Sequence, residues 1–229
     1  MYFYKMKIIS FPISIKHFYN VLLFVILTCF IWACENTPEA PKYIPKGTTI
    51  NMDSLLNTYH LKNGDIVFRK GLSIESQAVL LADRDGMYSH IGIIILIDSI
   101  PYVVHIVPDS LESTPDFAQL EKLNEFFAPK YATIGCVVRV KSKYETQANN
   151  AALMALEFYH NKVIFDASYD LSTNDEMYCT ELVSKAYLKN GIDLVEGRLS
   201  KMYLPFPKHK IIFPTAIINS QYLENIYYF

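Results

Sequence analysis

Tyr178-Cys179-Thr180-Glu181-Leu182-Val183-Ser184-Lys185-Ala186-Tyr187 is the stretch on which the fold of this chain turns. Leu182, Val183, Ala186 and Tyr187 recur on one helical stripe, and Asn190-Gly191 supplies a stop signal beyond them. Cys179 therefore stands at the start of a predicted amphipathic helix. Free backbone N–H groups and the helix dipole favour a thiolate there. Upstream, Ser89-His90-Ile91-Gly92-Ile93-Ile94-Ile95 sets a histidine at the mouth of a strongly apolar strand. Nucleophile and base must meet in space, not in sequence. The pair points to a cysteine hydrolase whose base precedes its nucleophile.

Working outward, residues 61–69 read as a turn and a strand, and residues 73–81 as a helix. Residues 88–97 and 101–107 are two β-rich runs around Asp98-Ser99-Ile100, forming a predicted hairpin. The pattern predicts a short helix over 115–124, a strand over 132–140 and an amphipathic helix over 145–160. A polar loop over 166–176 leads into the Cys179 helix, and Pro205, Pro207 and Pro214 break the remainder into loops and a docking segment. Strands in the first half and helices in the second describe an α+β domain, with helices against a small antiparallel sheet or barrel.

Acyl transfer by a cysteine needs a base, an orienting partner for that base, and N–H donors for the oxyanion. The Cys179 backbone N–H is one such donor. His90 is the candidate base, and alternation puts Gly92, Ile94 and Leu96 on its face. His105, in Tyr102-Val103-Val104-His105-Ile106-Val107-Pro108, is the orienting candidate, because the outer ends of a hairpin's strands can face each other. His60, His160 and His209 lie in polar contexts and receive no role. No CxxC, HxxxH or HExxH spacing occurs, so no metal site is expected. The competing use of Cys179 is a disulfide to Cys136. Cys136, however, shares a strand face with Val138 and Val140, as an inert core thiol would.

The first residues read as an export signal. Lys5, Lys7 and Lys16 precede a 13-residue apolar run, Val21 to Ala33, shorter than the roughly 20 residues that span a bilayer. The run ends Ile31-Trp32-Ala33-Cys34, similar to a bacterial lipoprotein signal with cleavage after Ala33 and a lipid on Cys34. Domain boundaries follow: a signal over 1–33, a lipidated cysteine and proline-rich tether over 34–52, and a catalytic domain over 53–229. Processing would leave 196 residues with 18 basic and 23 acidic side chains, a net charge of −5. That balance argues against nucleic acid as a partner and leaves the lipid as the membrane contact.

Four pieces carry a family resemblance: residues 61–68, Ser89 to Ile93, the segment around His105, and Tyr169-Asp170 through Tyr178 to Val183. In that order they resemble the permuted papain-fold amidases of the YiiX/YaeF type, relatives of the NlpC cell-wall hydrolases and of lecithin–retinol acyltransferase. The closing run Phe213 to Ser220 is similar as well. The resemblance implies Cys179 as nucleophile, His90 as base, His105 as third polar member and Tyr169 as an aid to the oxyanion site. Bacterial members often carry an acid at the third position, and a histidine there is more like the acyltransferase branch. It implies no metal or organic cofactor. The substrate expected is a peptide or acyl amide, with peptidoglycan peptides a natural class for an extracytoplasmic, membrane-anchored lipoprotein. A lipid-directed acyl hydrolase or transferase is the enzymic alternative, and a non-catalytic binding module the other. Asp65 and Glu181 read as structural, a turn residue and a first-turn helix acid.

Overall fold

The structure is a computed structural model that describes residues 55, 59–84, 86–108, 116–201 and 210–228. The expected signal, Cys34 and the tether lie outside the described residues, as do most of residues 52–60, whose sequence reads as a short helix capped by Asp53 or Ser54.

Ten strands, five α-helices and a 3-10 turn at Ser142–Tyr144 follow one another along the described chain. They are β1 (Ile66–Gly71), α1 (Ile74–Ala82), β2 (His90–Ile97), β3 (Ile100–His105), β4 (Gln119–Lys122), α2 (Leu123–Phe126) and β5 (Ala132–Val140). Then come α3 (Glu145–His160), β6 (Ile164–Phe165), β7 (Glu176–Met177), α4 (Cys179–Leu188), β8 (Ser200–Lys201), β9 (Lys210–Ile211), α5 (Pro214–Ile218) and β10 (Leu223–Tyr228). The main sheet has six strands in the order β10-β5-β1-β2-β3-β4, each pair antiparallel. The sheet with its packed helices is the α+β architecture anticipated above.

Both faces of this sheet are covered, which is why β2 is apolar without interruption. Ile91, Ile93 and Ile95 join the core under α3 and α4, whereas Ile94 joins Val67, Val103, Val137, Leu123 and Phe126 on the opposite face. Helix α3 presents Ala148, Ala151, Ala152 and Ala155 inward, small enough for close approach. The approach is tight at Gly64, where φ is +85° and an added Cβ would fall 2.3 Å from the Ala148 carbonyl oxygen. Next to it, Asp65 accepts a fork of hydrogen bonds from Arg139, 2.6 Å from Nε and 2.7 Å from Nη2, and another from the Lys62 N–H at 2.8 Å. Asp65 is thus the structural residue its turn position suggested, and it ties the loop before β1 to β5.

Asp98 and Ser99 turn the β2–β3 hairpin with φ of 50° and 64°, the primed geometry that suits twisted strands. The helix expected over 115–124 is not formed. Residues 119–122 are instead the edge strand β4, pairing Gln119 with His105 and Leu120 with Val104, and only Leu123–Phe126 turn helical. The exposed edge of β3 offers this segment ladder hydrogen bonds that one isolated helical turn does not match. The closing segment also does more than dock: β10 pairs with β5 and forms the other sheet edge.

Candidate active site

Helix α4 opens at Cys179. Glu181 accepts the Tyr178 N–H at 3.4 Å and pairs with Lys185 at 2.8 Å, so its carboxylate caps the first turn. Burial lifts this carboxyl to about 7 against the pull of Lys185. The residues flanking the cysteine clamp one point of the closing segment. Tyr178 Oη accepts the Ile212 N–H at 2.9 Å, and Thr180 Oγ1 donates to the Ile212 carbonyl at 2.6 Å. Cys179 Sγ itself lies among the backbone N–H groups of Thr180, Ile91 and Cys179. Cys179 is half-buried, and desolvation nonetheless pushes its thiol up to about 11, outweighing those N–H groups and the charge of Arg69. The thiolate expected from the helix terminus alone is therefore not the resting form, because dense apolar surroundings cost a charge more than a few dipoles return.

His90 opens β2, and its Nε2 lies 3.0 Å from Nδ1 of His105 on β3. Nε2 of His105 lies 3.1 Å from Glu121 Oε2 on β4. This chain assigns both tautomers. Burial acts to raise the Glu121 carboxyl, but the His105 hydrogen bond and nearby positive charges hold it below its usual value, so it accepts only. His105 must donate from Nε2 and accept at Nδ1; His90 must then donate from Nε2. His90 then carries its lone pair on Nδ1. Burial, with Arg69 and His105 beside it, drives His90 well below the usual imidazole range, and burial lowers His105 too. Both rings rest on Phe126, at centroid distances of 5.6 Å and 5.2 Å. Gly92, opposite His105 on the same face, leaves the room: a Cβ there would lie 3.1 Å from the His105 Cβ and 2.4 Å from Val103 Cγ1.

His90 and Cys179 line one cleft of about 520 Å³, together with Arg69, Tyr169, Phe165 and Phe213. His105 stands behind His90 and is nearly inaccessible. Tyr169, with φ of 56°, is held by a loop in which Asp166 accepts hydrogen bonds from Ser168 and Asp170. Burial and the neighbouring Cys179 raise its hydroxyl pKa, which keeps the proton on. Cys136 is a free thiol in the core, pushed up to about 12 by burial, and Cys179 is free as well. The four side chains singled out in the sequence thus come together as two cleft walls and a buried support.

Two residues of the cluster were not foreseen. Glu121 was hidden because its segment reads as a helix, and only the strand pairing turns it toward His105. Arg69 lies directly across the ladder from His90, with its guanidinium 4.3 Å over the Phe126 ring. Its one sequence signal is a charge that closes the apolar run Ile66-Val67-Phe68 inside a predicted strand.

Compared with known proteins, residues 60–227 match the family described as permuted papain-like amidase enzymes, YaeF/YiiX, C92. Among solved structures, the crystal structure of the metalloprotein YiiX from Escherichia coli O157:H7 is similar, with a TM-score of 0.57 and 22% identity. The likeness covers 72% of this chain and 96% of that one. No curated protein matches.

Proposed function

Because the chain belongs to the YaeF/YiiX family of permuted papain-like amidases, we propose that it cleaves an amide bond through an acyl-enzyme on Cys179. The observation that carries this reading is the hydrogen-bond chain from Glu121 through His105 to His90, whose tautomer leaves Nδ1 as the basic nitrogen of a residue that lines the same cleft as Cys179. His90 Nδ1 takes the Sγ proton as Sγ bonds to the carbonyl carbon. The same proton then passes to the amide nitrogen as the C–N bond breaks. Water, deprotonated by His90, splits the thioester and restores the thiol. His105 and Glu121 are positioning residues: they hold the tautomer and steady the imidazolium while it exists. The Cys179 backbone N–H and the Tyr169 hydroxyl donate to the oxyanion.

Metal chemistry forms no part of this reading. The similar structure is that of a metalloprotein, but here the imidazoles direct their facing nitrogens at each other. Among the described residues no group of three or more His, Cys, Asp or Glu side chains is placed to hold a metal ion. Apolar walls from Ile106, Val107, Phe165, Ile212 and Phe213 favour an apolar acyl group over a hydrophilic muropeptide. The place of action is the outer side of a membrane, reached through a lipid on Cys34.

The test is to mix the purified domain with N-octanoyl p-nitroanilide, quench in acid and weigh the intact protein. One octanoyl group on the Cys179 peptide is expected, with steady release of p-nitroaniline. His90→Ala should slow the release by roughly 10²–10⁴-fold. Undiminished release from Cys179→Ala sinks the reading.

A further inference from the structure

Arg69 is a buried cation whose carboxylate neighbour, Glu121, is shared with His105. Arg69 is 8% exposed, and what is exposed lines the cleft that holds Cys179 and His90. Nη1 donates to the Phe126 carbonyl at 2.5 Å, whereas Nε is fully buried with no hydrogen-bond partner. Among the described residues no carboxylate forms an ion pair with it; the nearby Glu121 hydrogen-bonds to His105 instead. Its plane is braced over Phe126, with the Tyr131 ring 5.5 Å away. Lys130 adds a second positive charge at the same end of the cleft, 4.4 Å from that ring. A buried guanidinium with an unpartnered Nε and no carboxylate bonded to it among the described residues is costly unless a ligand brings a second anion. The planar fork of arginine matches a carboxylate.

We propose that Arg69 receives a free carboxylate of the substrate, so that the cleft is built for N-acyl amino acids: an apolar acyl group along its walls, joined by an amide to a residue whose carboxylate pairs with Arg69. The inference rests on Cys179 and His90 flanking the scissile amide. Acyl transfer to Cys179 then releases the amino acid, its nitrogen protonated by His90. Arg69 is a specificity residue here. The alternative, an arginine that serves only a charge developing on sulfur or the oxyanion, treats acid and neutral substrates alike.

Binding separates the two without depending on turnover. Isothermal titration of the Cys179→Ala domain with N-octanoylglycine and with its methyl ester should show the acid binding at least about tenfold tighter, as a charge-assisted pair in a dry site implies. Adding Arg69→Met should bring the two ligands within about twofold by weakening the acid alone, and Arg69→Lys should restore part of the gap. Equal affinities in the Arg69-intact domain, binding of neither ligand, or a preference that survives Arg69→Met overturns the proposal. The first two outcomes need no folded Arg69 variant. Turnover of N-octanoylglycine by the unmutated domain is scored apart. Acid preference without turnover of either N-octanoylglycine or the p-nitroanilide upholds this site while removing the hydrolase reading.

Discussion

Cys179 feels two opposed influences, and their relative size decides how the site works. Three N–H groups and the Arg69 charge favour the thiolate, while burial favours the thiol and prevails, at about 11. His90 is displaced the other way, its charged form disfavoured by burial, Arg69 and His105. The resting pair is therefore neutral. A base is useful only when unprotonated, so turnover should remain full at pH 6.5 and fall only on further acidification, as His90 takes a proton at its lowered pKa. On the alkaline side it should hold until about pH 11, where Sγ no longer carries the proton that must reach the leaving nitrogen. Iodoacetamide labelling of Cys179, followed by peptide mass spectrometry across pH, should climb toward pH 11 and be slow at neutrality. Half-maximal labelling below about pH 7 would show a resting ion pair instead. Cysteine and histidine types were readable from sequence; this balance was not, because desolvation depends on neighbours far away in the chain.

At the scale of elements, the site is a product of the β2–β3 hairpin and the strand added to its edge. The hairpin was legible from alternation and its turn residues, and with it the meeting of His90 and His105. What alternation does not reveal is that Gly92 is the empty square between them. Gly92→Ala would drive a Cβ to 2.4 Å from Val103 Cγ1 and 2.9 Å from the Val104 carbonyl oxygen, which is backbone and does not yield easily. The expected result is a loss of about 1–3 kcal/mol in a denaturant melt, with reduced turnover as His105 is displaced. Unchanged stability and activity would mean that the hairpin has slack the close contacts deny. Edge strand β4 was misread as a helix because four residues of alternation are too few to outweigh a helical pattern. Glu121 went unseen with it.

For the whole molecule, the described domain and the proposed export signal make separate demands. The domain needs its closing segment, since Ile212 is held on both sides of Cys179 and β10 completes a sheet edge. The signal needs only its local anatomy. If Cys34 carries the lipid, Cys34→Ser should move the protein from the membrane fraction to the soluble one and abolish incorporation of labelled palmitate, with activity of the purified domain unchanged. Membrane retention by Cys34→Ser would point to an uncleaved anchor. Residues 178–187 and 89–95 determined by themselves the helix, the strand and the candidate pair Cys179 and His90, because periodicity and end signals are local properties of a chain. The tertiary structure alone decided that Glu121 stands behind His105, that burial leaves Cys179 a thiol, and that Arg69 lines the cleft with no ion pair among the described residues. Each depends on groups brought together from distant positions, and proximity of that kind is a property of packing.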